Sequence, residues 1–289
     1  MSQPRISVFA SLANGNAVPR RVIQGAKTLQ ARTSHYIAVD AVRDELIVPN
    51  PFAQAILFFR GGASGDEAPL RIIQGPKTLL SAPDNVAVDA THREIFVAQF
   101  PTDSIFVFRS DVGGDVEPIR ILRGPKTKLV RPIRVEVDPL NNVLAVTTSE
   151  AILVFNRTDQ GDVAPRWVIS GPNAGVGARY GTRDVKLFPQ GKKIIASASR
   201  GTERRPGGSG GEEIGAQRLI AVWNYGDNGN VAPWAVLNST PTTKLAGNHM
   251  GLNPEAAELM VGGEGVIRVY RLPEVFSTGL LSRAEVERC

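Results

Sequence analysis

Short apolar runs recur along the chain, each four to six residues long and bounded by Gly, Pro, Asn or Asp. One series reads HYIAVD (35–40), DNVAVD (84–89), IRVEVD (133–138), RDVKLF (183–188) and NHMGLN (248–253). Five residues after each begins a second run: ELIVPN, EIFVAQ, VLAVTT, KIIASA and ELMVGG. A third series follows as ISVFA, AILFFR, SIFVFR, AILVFN, LIAVWN and VIRVYR. A fourth is typified by LRIIQG (70–75). Val, Ile and Phe dominate, and no window carries an apolar stripe of helical period, except the tail STGLLSRAEVERC (277–289), which reads as a short helix. This is strand composition with turn punctuation.

The aromatics of the third series are Phe9, Phe59, Phe108, Phe155, Trp223 and Tyr270, spaced 50, 49, 47, 68 and 47 residues apart. Four strands in about 49 residues, repeated radially, make the blade of a β-propeller. The expected fold is therefore all-β: a single propeller over residues 1–276 with five complete units, a possible partial sixth, and closure by N- and C-terminal strands. Residues 20–24 are expected beside residues 266–270. The surplus third strand at residues 6–9 leaves the alternative that it begins a sixth blade. The order IAVD…EIFVA…SIFVF…LRIIQG resembles NHL-type propeller repeats over nearly the whole chain. That family holds scaffolds, RNA binders and lyases, so the resemblance implies an architecture and leaves the activity open.

The most conspicuous repetition is RRVIQGAKT (20–28), LRIIQGPKT (70–78) and IRILRGPKT (119–127). Gly allows positive φ and Pro fixes φ, so the phrase reads as a turn. A phosphate loop would need more glycines and a following helix. NGNAVP, SGDEAP, GGDVEP, QGDVAP and NGNVAP, between third and fourth strands, read as left-handed turns. They lack the closing Glu of a calcium loop. Both phrases are scaffold, and recognition is expected where the copies differ.

Four places before the Asp of AVD the copies carry Tyr36, Asn85, Arg134, Asp184 and His249. Two places further on stand Ala38, Ala87, Glu136, Lys186 and Gly251, and Glu136 with Lys186 forms a candidate ion pair. Propeller symmetry would gather these positions at the channel mouth. The resulting set for ligand binding is Tyr36, Asn85, Arg134, Glu136, Asp184, Lys186 and His249, expected to take a small polar anionic ligand or a protein partner. The alternative is a lyase or hydrolase with His249 and Asp184 as acid–base residues. Residues 199–217 form an insertion expected over the same face, as a lid or a tolerated loop.

Composition narrows the field. The net charge of +5 is mild, and the chain is 42% hydrophobic and 21% charged. The run of Arg120, Arg123, Lys126, Lys128, Arg131 and Arg134 leaves RNA binding as a second alternative, weakened by the lack of interleaved aromatics. The one cysteine, Cys289, excludes an intrachain disulfide and a thiolate zinc cluster. His35, His92 and His249 do not fall together, so no metal and no cofactor is expected. No Gly-x-Ser-x-Gly elbow is present. Without an apolar run of about 20 residues or a leader-like N-terminus, no membrane association and a cytoplasmic setting are expected.

Overall fold

The computed structural model describes residues 4–32, 36–177, 182, 184–200, 217–240, 245, 249–263 and 265–277. They fall into two compact units, Met1–Arg123 and Gly124–Cys289. Every strand expected from the four series is present. In the first unit β1 (Ile6–Val8) pairs with β2 (Arg21–Ile23). A four-stranded sheet follows from β3 (Ala38–Asp40), β4 (Glu45–Asn50), β5 (Ala55–Arg60) and β6 (Arg71–Ile73). The next comprises β7 (Pro83–Asp89), β8 (Glu94–Gln99), β9 (Ser104–Arg109) and β10 (Arg120–Arg123).

The second unit continues with β11 (Arg134–Asp138), β12 (Val143–Thr147), β13 (Ile152–Asn156) and β14 (Trp167–Ile169). Its second sheet contains β15 (Asp184–Phe188), β16 (Lys193–Arg200), β17 (Gln217–Asn224) and β18 (Ala235–Asn238). The last sheet has three strands among the described residues, β19 (His249–Asn253), β20 (Glu258–Gly263) and β21 (Val266–Arg271). Within these described sheets every strand pairing is antiparallel and joins strands adjacent in the chain, as short connections dictate. At the N-terminus β2 bonds to β1, and the two form a two-stranded sheet within the first unit.

Sheets pack face to face within each unit, so middle strands are covered on both sides and read as continuous apolar runs. Ile47, Ile56 and Phe58 meet Val86, Ile95, Val97 and Phe108 in the first unit. Val143, Ile152 and Val154 meet Val185, Ile194, Leu219 and Trp223 in the second. The aromatics Phe59, Phe108, Phe155 and Trp223 are fully buried. Truncating such a ring to Ala removes about 3–5 kcal/mol.

Polar residues of the repeat close the turns. The Asp ending each early first strand is buried and caps the next turn: Asp40 Oδ1 accepts the Val42 and Arg43 amides at 3.0 Å each. Asp89 accepts the His92 amide at 2.9 Å and its Nδ1 contact at 2.7 Å, which accounts for His92. Asp138 accepts Asn141 N at 3.1 Å and, from the next sheet, the Tyr225 hydroxyl at 2.8 Å.

The repeated phrase is a joint between neighbouring sheets. Pro76–Thr78 forms one 3₁₀ turn, closed by Thr78 Oγ1 donating to the Gly75 carbonyl at 2.6 Å. The Lys77 amide donates at 2.7 Å to Asp115 Oδ1, in the GGDVEP phrase of the following sheet. The same bond runs from Lys27 N to Asp66 and from Lys126 N to Asp162, both at 2.7 Å. In the fourth copy Asn230 Oδ1 takes the place of the carboxylate and accepts Asn173 N at 2.8 Å. Gly75 sits at φ 135°, and a Cβ there would lie 2.5 Å from the Asp115 carboxyl. The closeness of the joint and the backbone angle both require glycine.

A second repeated device crosses both four-stranded sheets of the first unit. Arg71 forks onto Glu45 at 2.5 and 2.7 Å, over the Phe58 ring, and Arg120 forks onto Glu94 at 2.8 and 2.7 Å. In β12 and β14 the corresponding residues are Val143 and Trp167.

Two boundaries differ from expectation. The β16–β17 ladder extends to Ser199↔Arg218 and Arg200↔Gln217, because consecutive hydrogen bonds continue past the apolar run. Residues 201–216, the body of the insertion, lie outside the described residues, as do His35 and residues 278–289 of the tail. A single helical turn, Pro273–Phe276, precedes that tail and packs Phe276 edge-on to Phe188 at 5.3 Å. Among the described residues no helix is long and apolar enough to cross a membrane.

Candidate functional site

Five of the seven candidate residues belong to the second unit, on the first strands β11, β15 and β19. Register fixes them: Arg134 lies opposite Thr147, Asp184 opposite Ser197 and His249 opposite Gly262. Glu136 and Lys186, two residues along, point to the same side as Arg134 and Asp184 because strand side chains alternate. Lys186 Nζ donates to Glu136 Oε2 at 2.7 Å, which is the expected ion pair between neighbouring sheets. Its side chains retain 14% and 24% of their exposure, so the pair is partly open to solvent.

Asp184 is only 1% exposed. Its Oδ2 accepts the Met250 amide at 2.7 Å and its Oδ1 the Val185 amide at 2.9 Å. Its own amide donates to Ser197 Oγ at 2.9 Å. The carboxylate therefore ties β15 to β19. Burial pushes its pKa above the ordinary carboxylate value, opposed by the charge of Lys186, the Met250 hydrogen bond and Arg134. His249, the other acid–base candidate, is exposed at the start of β19.

Arg134 is 7% exposed, with Nη1 donating to the Ile133 carbonyl at 2.9 Å. The hydroxyl of Thr147, opposite it, is buried without a hydrogen-bond partner among the described residues. Tyr36 and Asn85 belong to the first unit. Asn85 is fully buried at the start of β7, just after a bulge, and Tyr36 is half-buried before β3. The basic stretch divides similarly: Arg120 is engaged by Glu94 and Arg134 is buried, while Arg123, Lys126, Lys128 and Arg131 are exposed.

Sequence reasoning missed a row of buried polar residues ending the second strands. Asn50 Nδ2 donates to the Leu29 carbonyl at 2.7 Å, and Gln99 Oε1 accepts Ser81 and Ala82 amides at 3.2 and 3.3 Å. Thr148 Oγ1 accepts Ala151 N at 3.1 Å. The signal was present as one polar residue closing an otherwise apolar run. Among the described residues no group of three or more His, Cys, Asp or Glu side chains is arranged to hold a metal ion.

No protein-family model matches the chain, and no curated protein matches it significantly. Solved structures do. The β-propeller domain of Cps50 (Swd1) from Myceliophteria thermophila aligns with TM-score 0.58 and 14% identity, over 89% of this chain and 70% of that one. A putative 6-phosphogluconolactonase from Bacteroides uniformis gives 0.54 and 19%, over 92% and 72%. Hydrazine synthase from Kuenenia stuttgartiensis gives 0.52 and 15%, over 92% and 85%. Identities this low carry the fold alone, and with the repeated antiparallel sheets they establish that this chain is a β-propeller.

Proposed function

We propose that this protein is a binding propeller with NHL-type repeats, whose recognition surface includes the Glu136–Lys186–His249 group of the second unit, and that it takes a small polar ligand with an anionic group. The observation carrying this reading is the division of labour on β15. Asp184 holds two backbone amides in a buried tie, whereas Lys186, two residues on, has its charge at a partly open position against Glu136. A general acid or base must reach the reacting proton; a carboxylate that closes a strand joint is poorly placed to do so. An incoming carboxylate or phosphate can compete with Glu136 for Lys186, with His249 exposed on the next strand. Arg134, at the start of the strand that carries Glu136, and the Thr147 hydroxyl opposite it add buried donors in the same sheet.

The test is a calorimetric titration with a panel of small carboxylates and phosphates, run beside a hydrolysis screen. Saturable binding without turnover is expected. Lys186→Ala should weaken it about tenfold or more, the value of one charge-assisted hydrogen bond. Turnover that survives in wild type and vanishes in His249→Ala would establish the enzyme instead. Binding unaffected by Lys186→Ala would remove the site from this group.

A further inference from the structure

The last sheet is the same construction as the complete ones, stopped one strand early. In the complete sheets the third strand is covered by a fourth: Phe58, Val107, Val154 and Val222 each accept through their carbonyl an amide at its start, from Leu70, Ile119, Arg166 and Trp234, at 2.7, 2.8, 2.7 and 2.7 Å. These four residues lie opposite Ile47, Phe96, Ala145 and Ile195 of the second strands. The residue in that register on β21 is Val269, opposite Met260. No described strand lies on its outer side.

Exposure agrees with the missing cover. Phe58 and Val107 are 0% and 2% exposed, whereas Val266, Ile267 and Val269 are 43%, 66% and 56% exposed. In this register the amide and carbonyl of Val269 face outward between apolar side chains, and such an edge is a template for one more strand. The chemistry of that strand is written in the complete sheets. Glu45 and Glu94 open their second strands, and each is met by an arginine reaching across the third strand from the fourth, Arg71 and Arg120. Glu258 opens β20 in the same register, with Asn253 Nδ2 at 3.2 Å as its side-chain contact. Arg268 and Arg271 on β21 disfavour pairing of this strand with a second copy of itself, since like charges would face one another.

We propose that β21 is a strand-addition site for an extended peptide segment from a partner protein with the pattern apolar–Arg–apolar–apolar, its arginine crossing Val269 to reach Glu258. The probe is a fluorescein-labelled peptide of residues 69–76, PLRIIQGP, titrated with the full chain and read by anisotropy. Saturable binding in the micromolar range is expected, typical of strand addition. A peptide with Arg71→Glu should bind at least about tenfold more weakly, from loss of the charge-assisted pair. Glu258→Gln in the protein should shrink the preference between the two peptides. Val269→Pro should abolish binding while leaving the melting temperature nearly unchanged, because proline is tolerated on an edge strand. No saturable binding, or equal binding of both peptides, overturns the proposal. So does a concentration-dependent dimer of the wild-type chain that Val269→Pro dissolves, since a second copy would then hold the edge.

Discussion

The outer joints and the first strands of this protein follow opposite rules. The joint between the Gly-Pro-Lys-Thr turn and the next sheet's Asp is made with the same atoms and the same 2.7 Å bond at Lys27, Lys77 and Lys126. The first strands place Arg134, Asp184 and His249 at one repeat position in the second unit, and each does something else: one is buried beside a carbonyl, one ties two strands, one is exposed. A joint that every neighbour must share cannot vary singly, because each half needs its counterpart. A position facing no repeated partner is released from that constraint. Repetition therefore marks mutual packing here, and divergence marks the places where chemistry can be individual.

The comparison can be pressed at decreasing force. Glu94→Ala leaves Arg120 without its fork in a half-buried site, and chemical unfolding should report a loss of about 3–5 kcal/mol. Gly75→Ala introduces a Cβ at positive φ against Asp115 and should cost about 2 kcal/mol in the same assay. If it were neutral, the joint would be loose and the contrast with the first strands would fail.

Asp184→Asn tests the variable side. The raised folded-state pKa means the native state binds more protons, so wild type gains stability as pH falls from that raised value toward the unfolded value of about 3.9. Asparagine cannot titrate, so the wild-type advantage should grow across that window, by no more than about 1.4 kcal/mol per pH unit. A constant difference between the two, followed by thermal melts over the same pH range, would deny that burial governs this group. Asp115→Ala should cost about 1 kcal/mol, one hydrogen bond to a charged acceptor in an exposed setting, while Lys77→Ala should change stability by less than about 0.5 kcal/mol, because only its amide is used. Equal losses would mean the lysine side chain matters after all.

Strand identity was legible throughout, because turn residues and apolar runs alternate in every copy and each strand packs against its own kind. The ion pair of Glu136 and Lys186 was legible too, as two large opposite charges at one repeat position in adjacent units. The tie from Asp184 was not, since its partners are the main-chain amides of Met250 and Val185, which every residue but proline possesses. Nor did the pattern reveal that Arg134 would be buried, because depth along a first strand depends on what faces it from other sheets. The pairing of β2 was ambiguous for a related reason: a fourth-strand pattern specifies the kind of neighbour and does not say which copy supplies it.

The repeats β3–β6, β7–β10 and β11–β14 each hold both halves of the joint, a turn that donates an amide after the fourth strand and an Asp that accepts one between the third and fourth strands. A stretch of gene encoding one such unit, if copied in tandem, would arrive already able to dock on the unit before it and to receive the unit after it. No new interface would have to be invented for the array to lengthen, and losing a unit would leave the surviving neighbours mutually compatible. The joint is thus a device by which such a chain could lengthen one unit at a time, while its first strands could change singly without disturbing it.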